Sequence, residues 1–322
     1  MPGTLTIDQN GNLFGATVGG GSIGCGIIFE VKADGRERMV HDFAGPPKDG
    51  CTAYGPMIEV ANDTFYGTAG GGKDSDGTIF ELARDGTVTL LRSFKRGREG
   101  YGPGDIVMDP SGNLYGTTGG GDDGYGGVFE FTPQRIYHVL YSFKGAPNDG
   151  SGPIGVIRNA SGDLFGTTFV GGKPGCNGNL GCGVAFEVAP DGSETVLHFF
   201  SEKHADGFNP PAGVIEDGAG NLFGTTLNGG GYCPYDPAYG CGTVFELAPD
   251  GTETILYSFS KNDAKNGALP QAGLVGDGTG HYYGTASEGG AYGYGTVFEI
   301  TPRARHARPA GIYGVERQHR QR

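Results

Sequence analysis

The chain has no tryptophan, no apolar run approaching a membrane span, and no stretch in which apolar residues recur every 3.6 positions. Bulky side chains for burial must therefore come from its 19 Phe and 16 Tyr. The missing helical period excludes a substantial helical component. With nothing near the ~20 apolar residues a bilayer requires, no membrane-spanning helix is expected. Familiar catalytic signatures are also absent. No Gly-Lys-Ser/Thr follows the glycine clusters at 19–21, 70–72 and 119–121, and a strand-like segment follows each cluster, so the phosphate-cradling arrangement of loop and helix is missing. There is no Gly-x-Ser-x-Gly elbow. No full EF-hand ligand run is present, which leaves the acidic loops at 73–77, 121–124 and Asp149-Gly150 as solvated turns. The seven histidines form no set: His41, His138 and His198 fall in or near fourth segments of different repeats, and His204 and His281 lie elsewhere. Positive charge is scarce, with 23 Lys and Arg against 36 Asp and Glu and a net charge of −13. Six arginines sit in the last twenty residues, so the body is more acidic still. Such a surface repels phosphate backbones and excludes nucleic acid as a partner.

What the chain has in abundance is glycine, 66 of 322 residues, against an ordinary share of roughly 7%. There is no Gly-X-Y period; the glycines cluster between apolar-aromatic runs, as turns joining short strands do. An aromatic-Gly-Thr/Ala motif recurs at Phe14, Tyr66, Tyr115, Phe165, Phe223 and Tyr283, spaced by 52, 49, 50, 58 and 60 residues. Each repeat holds four strand-like segments. A short aliphatic run comes first (IVMD at 106–109, GVIED at 213–217), then the aromatic-Gly-Thr segment, then a Val-Phe-Glu segment (TVFEL at 243–247), then a segment such as TILYSF at 254–259. β-Branched and aromatic residues dominate, and Gly-Asn and Asp-Gly pairs mark the turns. The fourth segment has only five copies. The expected fold is all-β: a β-propeller of about six four-stranded blades, the last incomplete. A β-solenoid is the alternative, although its coils need about half this period. The repeats occupy residues 1–302, and the basic tail at 303–322 matches no unit. That tail is expected to be disordered, to supply a replacement strand near 311–315, or to reflect a truncated or frame-altered sequence. Repeat-like sequence follows Met1 at once, with no signal-peptide pattern.

The pattern LYGTT…GG…GTVFEL.PDG.ET.LYSF…DG..P.AGLI.D..GN resembles the GloVer (Gloeo-Verruco) tandem repeat, over roughly residues 3–302. The resemblance implies a bacterial, extracytoplasmic, often surface-attached protein without an established activity. The order aliphatic-Asp-x-x-Gly-Asn-aromatic also resembles NHL and SMP-30 type propellers, which bears on fold.

In this topology the loops from second to third strand share a face with the links from one blade's fourth strand to the next blade's first. They are the long, variable loops, where function usually sits. Cys176–Cys182 and Cys233–Cys241 each flank a long second-to-third loop, and Cys25 and Cys51 fall on the same face. All three pairs read as disulfides, which indicate an oxidising compartment; a zinc site lacks Cys-x-x-Cys and matching histidines. The Val-Phe-Glu glutamates (Glu30, Glu81, Glu130, Glu187, Glu246, Glu299) read as structural, with the motif threonines (Thr17, Thr68, Thr117, Thr167, Thr225, Thr285) and loop N–H groups as expected partners. Tyr125, Tyr232, Tyr235, Tyr239, Tyr292 and Tyr294 crowd the long loops and suit recognition of a glycan or an extracellular protein. The alternative is that they cover loop backbone. At the start of the first strands only Asp105 is a metal-ligand type, which argues against a metal-centred enzyme. The sequence thus reads as a monomeric, noncatalytic extracellular repeat scaffold or binding module with no cofactor and no metal. A propeller lyase or hydrolase acting at the channel mouth is the alternative.

Overall fold

A computed structural model describes residues 5–53, 55–61, 64–74, 76–202, 206–233, 239–260, 267–290 and 292–301. The described residues form an all-β fold without α-helix, six small antiparallel sheets arranged as a six-bladed β-propeller. They divide into two compact units. The first comprises Met1–Lys144 with Gly152–Arg158, and the second comprises Gly145–Ser151 with Asn159–Arg322. No helix among the described residues is long and apolar enough to cross a membrane.

In the first unit, the third sheet shows the pattern: Ile106–Met108, Leu114–Thr118, Gly127–Phe131 and Tyr137–Ser142 pair in chain order. In the second unit, the fifth sheet repeats it with Ile215–Glu216, Leu222–Thr226, Thr243–Leu247 and Glu253–Ser258. Register is constant. The motif aromatic pairs with the Val-Phe-Glu glutamate in all six sheets, as in Tyr115↔Glu130 and Phe223↔Glu246. The motif glycine consequently faces the phenylalanine across the strand pair, as in Gly116↔Phe129 and Gly224↔Phe245.

That pairing explains the glycine. A Cβ on Gly224 would lie 2.5 Å from Phe245 Cζ, and one on Gly116 would lie 2.8 Å from Phe129 Cζ. The ring needs the space because it is a core anchor. The phenylalanine ending one blade's fourth segment packs against the next blade's third-strand phenylalanine. Ring centroids are 5.8 Å apart for Phe43–Phe80 and Phe94–Phe129, 5.2 Å for Phe200–Phe245 and 5.3 Å for Phe259–Phe298. All eight rings are buried, and each such burial stabilises by roughly 1.5–3 kcal/mol. Two phenylalanines per repeat thus take the place of the absent tryptophan.

The structure corrects two expectations. The links between blades are partly strands: Cys51–Ala53, Gly207–Phe208 and Ala268–Pro270 pair with the far end of their own blade's second strand or its extension. They follow an acidic residue or Asn and then Gly, a pattern that reads locally as a turn. Three of the glutamates, moreover, take their bonds from residues other than the motif threonines. The Tyr115 hydroxyl donates to Glu130 at 3.0 Å, the fully buried Glu30 pairs with Arg38, and Glu299 pairs with His281. Register decides this, because the glutamate sits opposite the aromatic while the threonine lies two residues further along. Three of the threonine hydroxyls instead bridge blades. Thr68 donates to the carbonyl of Gly104, Thr167 to Ala212 and Thr225 to Ala272, at 2.7–3.1 Å. The basic tail expected at 303–322 lies outside the described residues.

Candidate functional site

Three disulfides are formed: Cys25–Cys51, Cys176–Cys182 and Cys233–Cys241. Each joins or pins a second-to-third loop, and all four cysteines of the two local pairs are buried. The loops also dock on the next blade by a recurring backbone bond. Thr52 N–H donates to the carbonyl of Cys25, Asn209 to Cys182 and Leu269 to Cys241, at 2.8–2.9 Å. Gly102 and Gly152 make the same bond to Asp76 and Tyr125. All five donors have φ between 54° and 66°, a left-handed conformation that glycine adopts without strain and that Thr52, Asn209 and Leu269 adopt at a cost. A covalent or hydrogen-bonded anchor therefore holds the loops of the first five blades where flexible glycine-rich sequence alone would not. Three disulfides indicate an oxidising environment.

On the long loops the tyrosines are exposed. Tyr292 and Tyr294 are 82% and 92% accessible, and Tyr232, Tyr239 and Tyr125 are 61%, 47% and 43% accessible. Tyr239 keeps an edge contact with buried Phe208, at 6.1 Å between ring centroids, so its plane is constrained while one face is open. Tyr232 and Tyr239 belong to the disulfide loop of the fifth blade, and Tyr292 and Tyr294 to the equivalent loop of the sixth. Tyr235 and His204 lie outside the described residues. Tyr292 and Tyr294 are the most open of these rings, while Tyr125 and Tyr239 are more than half covered.

At the start of the third blade's first strand, Asp105 lies between two backbone segments made close by glycine. A Cβ on Gly55 would stand 2.5 Å from its Oδ1, and one on Gly155 would stand 3.6 Å from its Cβ. Burial pushes its carboxyl up to about 6. On the turn side of the first unit, a cleft of about 530 Å³ is lined by Tyr66, Glu81, Asp109 and Arg135 among others. In the neighbouring blade the Arg84 guanidinium reaches into the corresponding place, 3.7 Å from Glu30 and 3.8 Å from Asp8.

A further cluster lies along the fourth strands, assembled from residues that no single motif joins. In the first unit, Asp49 caps the link between blades by accepting from Ala44 N–H and Gly50 N–H, and His41 Nε2 lies 2.9 Å from its Oδ2. Arg92 and Glu99 repeat the pair one blade on, at 2.5 Å. In the second unit, the equivalent His198 and Asp206 are joined by Glu253 from the next blade. Glu253 is distant in sequence from His198 and Asp206, although Asp206 itself falls in a recurring motif, the Asp-Gly between blades. Only an alignment of the repeats shows that His198 and Asp206 hold the places of His41 and Asp49.

Known proteins supply context for this geometry. The model of the Gloeobacter/Verrucomicrobia repeat family matches residues 1–176 and 119–310. No curated protein matches the chain in sequence. Among solved structures, a virginiamycin B lyase from Staphylococcus aureus superposes with a TM-score of 0.60 at 13% identity, over 98% of this chain and 85% of its own. A gluconolactonase from Xanthomonas campestris gives 0.53 at 12% identity, over 92% and 84%. The extracellular domain of a candidate one-component system from B. thetaiotaomicron gives 0.58 at 12% identity; the match covers 96% of this chain and 36% of that one. At such identities the likeness shows the propeller fold and nothing about chemistry.

Proposed function

Since the chain belongs to the Gloeobacter/Verrucomicrobia repeat family and folds as a propeller with three disulfides, we propose that it is a noncatalytic extracytoplasmic binding module for glycans. The carrying observation is the pair of open tyrosine rings on the disulfide-anchored loop of the fifth blade, Tyr232 and Tyr239, together with the more exposed Tyr292 and Tyr294 on the equivalent loop of the sixth. A tyrosine offers a flat apolar face and a polar edge at low entropic cost, which suits the alternating C–H and hydroxyl surfaces of a sugar ring. Anchoring removes the ordering cost that flexible loops would incur on binding. The acidic body favours a neutral glycan over a polyanion. The test is a glycan array probed with the folded, oxidised protein. Binding to neutral glycans that falls tenfold or more in Tyr232→Ala/Tyr239→Ala supports the reading, and undiminished binding in that variant removes it.

One observation favours a second reading, an enzyme of lyase or hydrolase type. A carboxyl held near 6, like that of Asp105, suits general acid–base work close to neutral pH. Turnover of a lactone or polysaccharide that disappears in Asp105→Asn, with the fold intact, would favour this reading over the first.

A further inference from the structure

The fourth-strand cluster of the second unit supports an inference separate from glycan binding. His198 lies in the strand Glu194–Phe199, Asp206 in the link to the next blade, and Glu253 at the start of the strand Glu253–Ser258. His198 Nε2 stands 3.7 Å from Asp206 Oδ1 and 3.6 Å from Glu253 Oε2. Both distances are too long for a hydrogen bond. One ligand atom from each of the three residues lies within 4.8 Å of the others. His198 Nε2 and Glu253 Oε1 are shielded from solvent and have no hydrogen-bond partner.

The first unit supplies an internal comparison. At the same repeat position, His41 closes on Asp49 at 2.9 Å, and its Nδ1 lies 2.9 Å from the carbonyl oxygen of Gly86. Val88 stands where the next blade has Glu253. That clamp is complete as a hydrogen-bonded pair. The second-unit cluster is held more open and carries an additional carboxylate, an arrangement that costs free energy unless a proton or a cation sits among the three side chains. Two zinc ligands at about 2.0–2.2 Å in tetrahedral geometry stand about 3.3–3.6 Å apart. The two separations from His198 Nε2, 3.7 and 3.6 Å, need only a few tenths of an ångström of contraction, and the third lies within 4.8 Å.

We propose that His198, Asp206 and Glu253 form a structural site for a divalent cation of the zinc class, clasping the fourth and fifth blades. The residue types suit this: a neutral imidazole nitrogen and two carboxylate oxygens are borderline-to-hard donors that take Zn²⁺, with a fourth position for water. The surroundings orient the ligands. Ser201 Oγ donates to Asp206 Oδ2 at 2.7 Å and Gly207 N–H to its Oδ1 at 2.8 Å. The imidazole is set edge-on against Phe200 at 5.0 Å. Such outer contacts fix the aim of metal ligands.

The test uses the full-length, oxidised protein without a histidine tag, stripped with chelator and titrated with Zn²⁺ by calorimetry. The expected result is one ion per chain and a rise in Tm on adding zinc. Glu253→Val installs the residue found at this place in the second blade, so the fold tolerates it there. It should weaken binding on the order of a hundredfold or more, since even outer-sphere partners of metal ligands are worth 10–100-fold, and should abolish the zinc-dependent rise in Tm. His41→Ala, in the closed clamp, should leave zinc affinity unchanged. Loaded with Co²⁺ instead, the wild type should show the visible bands of a four-coordinate N/O site, and Glu253→Val should not. The proposal is overturned if zinc does not bind at one per chain, or if Glu253→Val binds it as tightly as the wild type; the cluster is then a buried ion triad alone.

Discussion

Gly224→Ala in the fifth blade tests the packing logic of the repeat. The added methyl would meet Phe245 Cζ at 2.5 Å, Cε1 at 2.8 Å and Cε2 at 3.3 Å. Ordinary contact begins near 3.5 Å, so the overlap with the nearest ring atom is roughly 1 Å. The ring has nowhere to go, because Phe245 is 1% exposed and Phe200 stands against it at 5.2 Å. Overpacking a filled core costs about 1–3 kcal/mol. Against this, replacing glycine narrows the unfolded ensemble and contributes about 0.4–1 kcal/mol in the opposite direction. The net expectation is a loss of about 1–2 kcal/mol. Gly218→Ala is the matched control: its Cβ would meet nothing within 4 Å and its φ is not in the left-handed range. It should be neutral or slightly stabilising. Urea unfolding of the oxidised protein reads both through the midpoint at constant m-value. Combining Gly224→Ala with Phe245→Leu should cost less than the sum of the two single changes, because the smaller side chain admits the methyl. A Gly224→Ala protein as stable as the wild type, or strictly additive energies in the double variant, would refute the account of why this motif carries glycine.

Other expectations follow from the same structure. Replacing Asp49 with Ala removes the acceptor of Ala44 N–H, Gly50 N–H and His41, and should cost about 2–4 kcal/mol in chemical denaturation. The folded pKa of Asp105, at about 6, lies above its unfolded value of 3.8. The native state therefore holds the proton more tightly, and the associated stability is present below about pH 4 and lost as pH rises through 6. This amounts to about 1–3 kcal/mol. Asp105→Asn should flatten that part of a stability–pH profile. Opening the Cys233–Cys241 loop with paired serines should cost about 2 kcal/mol by loop entropy and weaken any glycan binding measured on the same protein. Thr52→Gly, which places at φ 55° the residue already used at Gly102 and Gly152, should be neutral or stabilising by up to about 1 kcal/mol in a thermal melt.

Much of the architecture was legible because it repeats. The third strands Ile27–Val31 and Thr296–Ile300 fall where the Val-Phe-Glu segments put them, and the three disulfides join the cysteines that sequence pairs by loop and face. Local chemistry announces these features: β-branched triplets, turn dipeptides, and cysteines bracketing an insert. The misses share a different cause. Whether Glu130 meets Thr117 or Tyr115 depends on cross-strand register. Whether a link such as Ala268–Pro270 is strand or loop depends on what it lies beside. The His198–Asp206–Glu253 cluster assembles from two blades and a link, and its outline emerges only when His41 and Asp49 are laid over it. The exposure of Tyr292 and Tyr294 is likewise a property of the folded loops.

The central claim is that the anchored tyrosines bind glycan. Its most direct test is the affinity of the folded protein for a panel of immobilised neutral polysaccharides, compared with Tyr232→Ala/Tyr239→Ala and with the same protein after disulfide reduction. The account predicts saturable binding that drops at least tenfold in the double variant, about 1.4 kcal/mol, and drops again on reduction. Absence of binding across the panel, or binding indifferent to both changes, would contradict it.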